Sequence, residues 1–283
     1  MTDSDLSPSA RARGRLSDKL HRLRLRAGLS TTDLAAQLSW SQSKISRIER
    51  AAQAIAIPDV RVWAEALGAS ADTIDDLAAL AEQALTETRD WRLELAGGLA
   101  AKQAAVGELE NVVRRIRSFT ADVIPGLLQT LDYARHLFAF THPAGGSNVA
   151  AAAAARIARQ QILYDQDRRF EFVIAEQALW WRPGPRPMLA AQVAHIAAVA
   201  TLSNVEVGVI PLDAEAVAFY DSFEILDDEL VTMELPTREL HLRDPDEIGF
   251  YATRFARLKS AAVTGDDGAG LLAGLQRRLL AKT

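Results

Sequence analysis

The segment Ser39–Ala51, Ser-Trp-Ser-Gln-Ser-Lys-Ile-Ser-Arg-Ile-Glu-Arg-Ala, concentrates hydroxyls, an amide and guanidinium groups around two aliphatic anchors, Ile45 and Ile48. At ~100° per residue a helix puts both isoleucines on one face. Gln42, Ser43, Ser46, Arg47 and Arg50 fall on the opposite side, and Lys44 on a flank. No carboxylate shares that outer face, since Glu49 turns back toward the protein. Arginine reads guanine bidentately, glutamine reads adenine, and serine and lysine bind phosphates or bases, so the face has the chemistry of a DNA reader. An ordinary helical hairpin with a solvated basic face is the plainer alternative.

Other chemistry is sparse. The five histidines (His21, His136, His142, His195 and His241) stand far apart, with no metal-binding spacing, and cysteine is absent. Thr264–Gly270 (Thr-Gly-Asp-Asp-Gly-Ala-Gly) lacks the lysine and preceding strand of a phosphate-binding loop. No nucleophile elbow is present. The expectation is a protein that is not an enzyme and needs no cofactor and no metal.

Charge is unevenly distributed. Residues 10–50 hold ten Lys/Arg against three acids, while residues 51–283 hold 22 against 32, within a net charge of −5. A basic segment on an acidic body points to a polyanion-binding module attached to a part with another role. No apolar run is long enough to span a membrane, and the polar start lacks a signal-type core. With cysteine absent, a soluble cytoplasmic protein without membrane contact is expected.

The elements that must position the polar face follow from apolar spacing. Residues 1–14 lack periodicity and read as a flexible arm. Leu16, Leu20 and Leu23 start a helix that stops at Gly28. Thr31–Leu38 is a second helix capped by Ser30, and a third starts after Ser41. Two more helices follow, around Pro58–Ala66 and from Ala71 to about Trp91, giving an all-α domain over 15–90. Residues 91–283 read as an α+β domain with a mainly antiparallel sheet. Its strand signals lie at 170–175, 205–211, 222–227, 229–235 and 238–244. The segment 107–120 reads as a helix, and Asp227-Asp228 as a tight hairpin with a solvated tip. Trp180 and Trp181, beside the rigid Arg182–Pro187 loop, and Tyr133 are candidates for lining a ligand or partner cleft. Core packing of Leu127, Leu128, Leu131 and Tyr133 is the commoner role for such residues.

A short helix, a turn, and a second helix with projecting N-terminal residues is the helix-turn-helix arrangement. The string from Gly28 to Ala51 resembles that of the phage-repressor-like, or Xre, family, through Leu29, Leu34, Ala35, Leu38, Ile45, Ile48 and Glu49. The resemblance implies that Gln42, Ser43, Lys44 and Arg47 face bases or phosphates and that Thr31 meets a phosphate. Ser41, Ser46 and Arg50 complete the candidate surface. It also implies an ion pair between Arg24 and Glu49. Where the family usually carries glycine this chain has Ser39 and Ala51, which adds about 1 kcal/mol to each tight turn.

From about Trp91 the chain resembles the C-terminal domain of unknown function found in actinobacterial Xre-type, antitoxin-like regulators. Val123–Arg135 (Val-Ile-Pro-Gly-Leu-Leu-Gln-Thr-Leu-Asp-Tyr-Ala-Arg), Arg156–Leu163 and Phe170–Gly184 carry the likeness, with Asn204–Leu212 and Asp244–Val263. That resemblance implies a small protein partner encoded nearby. Operator logic, two heads meeting half-sites of double-stranded DNA ~34 Å apart or a multiple of it, leads to the expectation of a homodimeric regulator. Two alternatives stay open: an antitoxin-like module that neutralises its partner and autoregulates its operon, and a sensor of a small apolar molecule near Trp180 and Trp181.

Overall fold

The computed structural model describes residues 8–90, 97–142, 148–215, 221–235 and 238–281. Two compact units emerge, Met1–Thr88 with Glu229–Val231 and Leu240–Phe250, and Arg89–Asp228 with Thr232–Glu239 and Tyr251–Thr283.

The first unit is built on five helices: α1 (Pro8–Arg26), α2 (Thr31–Leu38), α3 (Gln42–Glu49), α4 (Ile57–Ala66) and α5 (Ala71–Leu85). Helix α1 begins at Pro8, so residues 8–14 of the flexible arm expected over 1–14 are helical; residues 1–7 lie outside the described residues. Ser9 and Ala12 are buried, and the Ser9 hydroxyl donates to Glu87 at 2.6 Å, which anchors the extra turns. Ser30 and Asp33 form a capping box at α2, and Ser41 and Ser70 cap α3 and α5. Leu16, Leu20, Leu34, Ile45, Ile48 and Trp63 meet in one core, with Trp40 edge-on to Trp63 at 6.0 Å.

The remaining elements are β1 (Thr86–Asp90), α6 (Leu99–Val112), β2 (Arg115–Thr120), α7 (Leu131–Thr141), α8 (Val149–Arg159), β3 (Arg169–Ala175), α9 (Arg186–Val199), β4 (Val205–Ile210), β5 (Phe223–Leu226), β6 (Leu230–Glu234), β7 (Arg238–Leu242), α10 (Pro245–Ser260) and α11 (Gly265–Leu280). The sheet has seven strands in the order β1-β7-β6-β5-β2-β3-β4. It is mixed: β2 pairs β3 and β3 pairs β4 in parallel, whereas β2 pairs β5 antiparallel. The expectation of a mainly antiparallel sheet holds for the hairpin half, β5 to β7, whose short connections permit nothing else. Helical crossovers through α7–α8 and α9 create the parallel half.

Two strands contradict the sequence reading. Residues 115–120 form β2 rather than the end of a helix, and 86–90 form β1 rather than the last turn of α5. Within β2, Arg117 is buried and donates to the Asp227 carbonyl at 2.8 Å and to the Asp228 carboxylate. The Asp227 carboxylate in turn accepts from the backbone N–H groups of Arg114 and Arg115 at 3.0 and 2.8 Å. The hairpin tip is solvated as expected, with Asp228 and Glu229 exposed, and it also clamps the start of β2.

Candidate nucleic-acid interface and a polar hollow

The turn between α2 and α3 is set by backbone geometry. Ser39 is left-handed (φ 57°), and the Trp40 N–H returns to the Ala35 carbonyl at 2.9 Å, closing α2. At the far end of α3, Ala51 is also left-handed (φ 56°), and Ala52 N–H bonds the Arg47 carbonyl at 2.9 Å. Ile45 and Ile48 are 0% and 1% exposed, fixing the rotation of α3.

Helix α3 is tied to α1 by charge. Arg24 donates through Nε to Glu49 Oε1 at 2.6 Å and through Nη2 to Oε2 at 2.7 Å, and a third N–H reaches the Leu29 carbonyl at 2.7 Å. His21 Nδ1 stands 2.8 Å from Glu49 Oε2. Burial alone would raise the Glu49 carboxyl, but the Arg24 and His21 hydrogen bonds outweigh it and hold it below the usual carboxylate range. Ser17 adds a hydrogen bond from its hydroxyl to the Ile48 carbonyl at 2.7 Å.

On the outer side, Ser41, Gln42, Ser43, Arg47 and Arg50 are exposed, while Thr31, Lys44 and Ser46 are half-buried. The Gln42 amide donates to Thr31 Oγ1 at 3.1 Å, which joins the first residues of α2 and α3. Arg47 Nε donates to Gln53 at 2.9 Å, and Arg50 Nε to the Ser46 carbonyl at 3.1 Å. Ser41 and Ser43 hydroxyls are 3.1 Å apart. Lys44 differs from the rest: its Nζ lies 2.8 Å from Asp59 and 3.7 Å over the Trp40 ring. It is paired within the domain.

The candidate cleft residues of the second unit do not share one cleft. Tyr133 is 0% exposed in the core. Trp180 donates to Glu176 at 3.1 Å beneath the Arg278 guanidinium, and Trp181 packs edge-on to Phe140 at 5.5 Å.

A hollow of about 850 Å³ lies elsewhere in that unit, and none of these three residues lines it. Its floor is the sheet face carrying Thr120, Glu224, Leu226, Thr232 and Glu234; its roof is α6, α7 and α8. The strings Val123–Arg135 and Arg156–Leu163 meet here. Arg156 donates to Gln129 at 2.8 Å and to Gln103 at 3.0 Å, and its guanidinium lies 4.3 Å from the Phe138 ring centre. Arg159 donates to Gln103 and to Glu110, both at 2.8 Å. A side chain on Gly126 would come within 3.3 Å of the Arg159 guanidinium, so this position keeps the Pro-Gly turn close to the arginines. Lys102 pairs with Glu239.

Burial pushes Glu110 up to about 7 against the pull of Arg159, and raises Glu224 and Glu234 as well. Burial and the neighbouring Arg159 bring Arg156 down to about 10. Sequence reasoning missed this cluster, although α6 carried its signal. Lys102, Gln103 and Glu110 occupy the stripe with Leu99 and Gly107 that faces inward, where a structural helix would be apolar. Among the described residues no group of His, Asp and Glu could hold a metal ion, and no helix is long and apolar enough to cross a membrane.

A capped helix, a left-handed turn and a second helix with a polar outer face define a helix-turn-helix protein. Residues 15–77 match the model of a helix-turn-helix domain, the DNA-binding part of a regulator. Residues 103–274, more than half of the chain, match a domain of unknown function (DUF5753), and the chain belongs to that family. No curated protein matches it.

Among solved structures it is similar to Nuc, a phospholipase D family member from Salmonella typhimurium, at 10% identity and a TM-score of 0.36, over 64% of this chain and 97% of that one. NucT from Helicobacter pylori gives 11%, 0.35, 64% and 98%. TrmBL2, an archaeal chromatin protein, gives 13% and 0.33 over 66% of this chain and 56% of its own. Likenesses of this size carry no argument about function.

Proposed function

We propose that this protein is a sequence-specific transcriptional regulator of the Xre type, without catalytic activity, that docks α3 in the major groove of operator DNA. One observation carries the reading: Gln42, Ser43, Arg47 and Arg50 are exposed on one face of α3 with no carboxylate among them, while Glu49 is turned to Arg24. Thr31, Ser41 and Ser46 border that face and supply hydroxyls for phosphates. The protein binds as a homodimer, two heads meeting half-sites ~34 Å apart or a multiple of it. The second unit receives the signal, from a ligand or from a small protein encoded nearby.

Genome-wide capture of DNA by the purified full-length protein, followed by footprinting of recovered sites, tests this reading. The expected result is a small set of two-fold-related sites. Arg47→Ala is expected to weaken the best site by about 1–3 kcal/mol and to relax preference at one base pair. Capture without sequence preference, or an unchanged footprint and affinity in the variant, contradicts the assignment.

A further inference from the structure

The hollow in the second unit is lined by more charge than a structural core tolerates, and that charge does not cancel. Lys102, Arg156 and Arg159 face Glu110, Asp122, Glu224, Glu234 and Glu239, three cations against five carboxylates. Two couples are closed, Lys102 with Glu239 and Arg159 with Glu110. Arg156 spends its hydrogen bonds on the neutral carbonyl oxygens of Gln103 and Gln129. Glu224 receives one hydrogen bond, from Ser118 at 3.1 Å, and none engages the Glu234 carboxylate among the described residues.

By area Arg156 and Glu224 are half-buried and Glu234 is exposed, and all three line the hollow, where burial is the largest influence on their acid–base behaviour. Polar atoms of almost fully buried residues also point there unpartnered: Glu110 Oε2, on a residue 2% exposed, and Thr120 Oγ1, on one 7% exposed. The volume is within the range of small-molecule sites. Apolar walls come from Leu99, Leu137, Phe138 and Leu226, with Phe140 at the rim, and Thr141, His142, Ser222 and Thr232 add polar groups.

We infer that this hollow is a binding site for a small organic cation, a protonated amine on an apolar body, whose ammonium group sits between Glu224 and Glu234. Adjacent β5 and β6 present these two carboxylates to the hollow, and the Glu234 charge disfavours ionisation of Glu224. A single cation between them removes that repulsion and supplies the missing hydrogen-bond donors. An anion would find one unpartnered arginine N–H, Arg159 Nε, and would otherwise have to compete for arginines engaged by Glu110, Gln103 and Gln129, beside an excess of carboxylates. The apolar body fits against Phe138, and the rim residue Phe140 touches Trp181, which makes tryptophan fluorescence a reporter of occupancy. The inference rests on the proposed signal-receiving role of this unit only in naming the amine as the signal.

The test is calorimetric titration of the full-length protein with phenylalkylamines of one to four methylenes, beside the matched alcohols and carboxylates. One-to-one saturable binding of at least one amine is expected, at least tenfold tighter than its alcohol and carboxylate counterparts. Glu224→Gln and Glu234→Gln are each expected to weaken it at least tenfold, and Glu82→Gln, on the exposed side of α5, to leave it unchanged. Phe140, 65% exposed, is expendable for folding, and Phe140→Ala is expected to weaken binding several-fold and to abolish the fluorescence change. Absence of saturable binding for every amine, tighter binding of the carboxylates, or wild-type affinity in folded Gln variants would overturn the site. DNA affinity is measured separately with and without the bound amine. Binding that leaves operator affinity unchanged overturns the signalling role and keeps the site, whereas loss of DNA binding in Arg47→Ala with intact amine binding keeps the two readings apart.

Discussion

Two buried carboxylates, Glu49 and Glu110, have arginine partners and opposite acid–base fates. Glu49 is doubly bonded by Arg24 and stays ionised, so it locks α1 to α3. Arg24→Ala would leave that charge with His21 alone. Unfolding of the first unit in urea is expected to show a loss of about 3–5 kcal/mol, the range for one partner removed from a buried pair. Glu110 has a single hydrogen-bonding partner and sits near 7 rather than 4.5. A carboxyl raised in the folded state binds more protons there than in the unfolded chain, so its contribution to stability is full below about 4.5 and is lost as pH rises through about 7. Wild type is therefore expected to fall behind Glu110→Gln between pH 4.5 and 8, by on the order of 3 kcal/mol, in denaturant titrations at several pH values. The Arg24–Glu49 couple was legible, because helical projection turns Glu49 inward and the family resemblance names its partner. The capture of Lys44 by Asp59 was not, since nothing in local spacing says that a residue 15 positions on will meet it.

At the level of elements, the helices of the first unit followed from their caps and apolar spacing, because these are local signals. Ser30, Ser41, Pro58 and Gly68 all stand where their chemistry requires. Strand β2 escaped because Arg115 and Arg117 break its apolar pattern, and only distant partners, Glu171 at 2.6 Å from Arg115 and the Asp227-Asp228 turn, make them compatible with a central strand. Although α6 carried a polar stripe, the partners of the cluster residues on α6 and α8 were unreadable for the same reason: a lysine or arginine on a stripe looks solvated until the opposite wall is known. The turns flanking α3 offer a cleaner test. Ser39 and Ala51 both hold φ near +57°, where a side chain is strained and glycine is not. Ser39→Gly and Ala51→Gly are each expected to stabilise the first unit by about 0.5–1 kcal/mol, read as a raised urea midpoint at constant slope. An unchanged or lowered midpoint would mean that the turn is not strained.

For the whole molecule, an acidic chain with a pI near 5.6 must bind DNA through a local field rather than its net charge. In the proposed complex Arg47, Arg50 and the exposed basic residues of α1, Arg15, Lys19, Arg22 and Arg26, provide that field. Engagement of about five phosphates would give a log–log salt slope near −4.5 and weaken binding roughly 10²–10³-fold from 50 to 200 mM salt. Fluorescence anisotropy across that range is the measurement, and a flat response would remove the electrostatic part of the proposal. Fold class was legible at this scale as a helical head before an α+β part. Parallel pairing was not, because it depends on how crossovers return the chain. That same topology dictates an order of events at the ribosome. Strand β2 is flanked on one side by β5, whose turn residue Asp227 lies 112 positions after Arg115. At about 5–20 residues per second, one edge of β2 waits on the order of 5–20 s for its neighbour to be made. A central strand is thus, for that interval, an open template for other chains, and synthesis halted before Phe223 would release an aggregation-prone product.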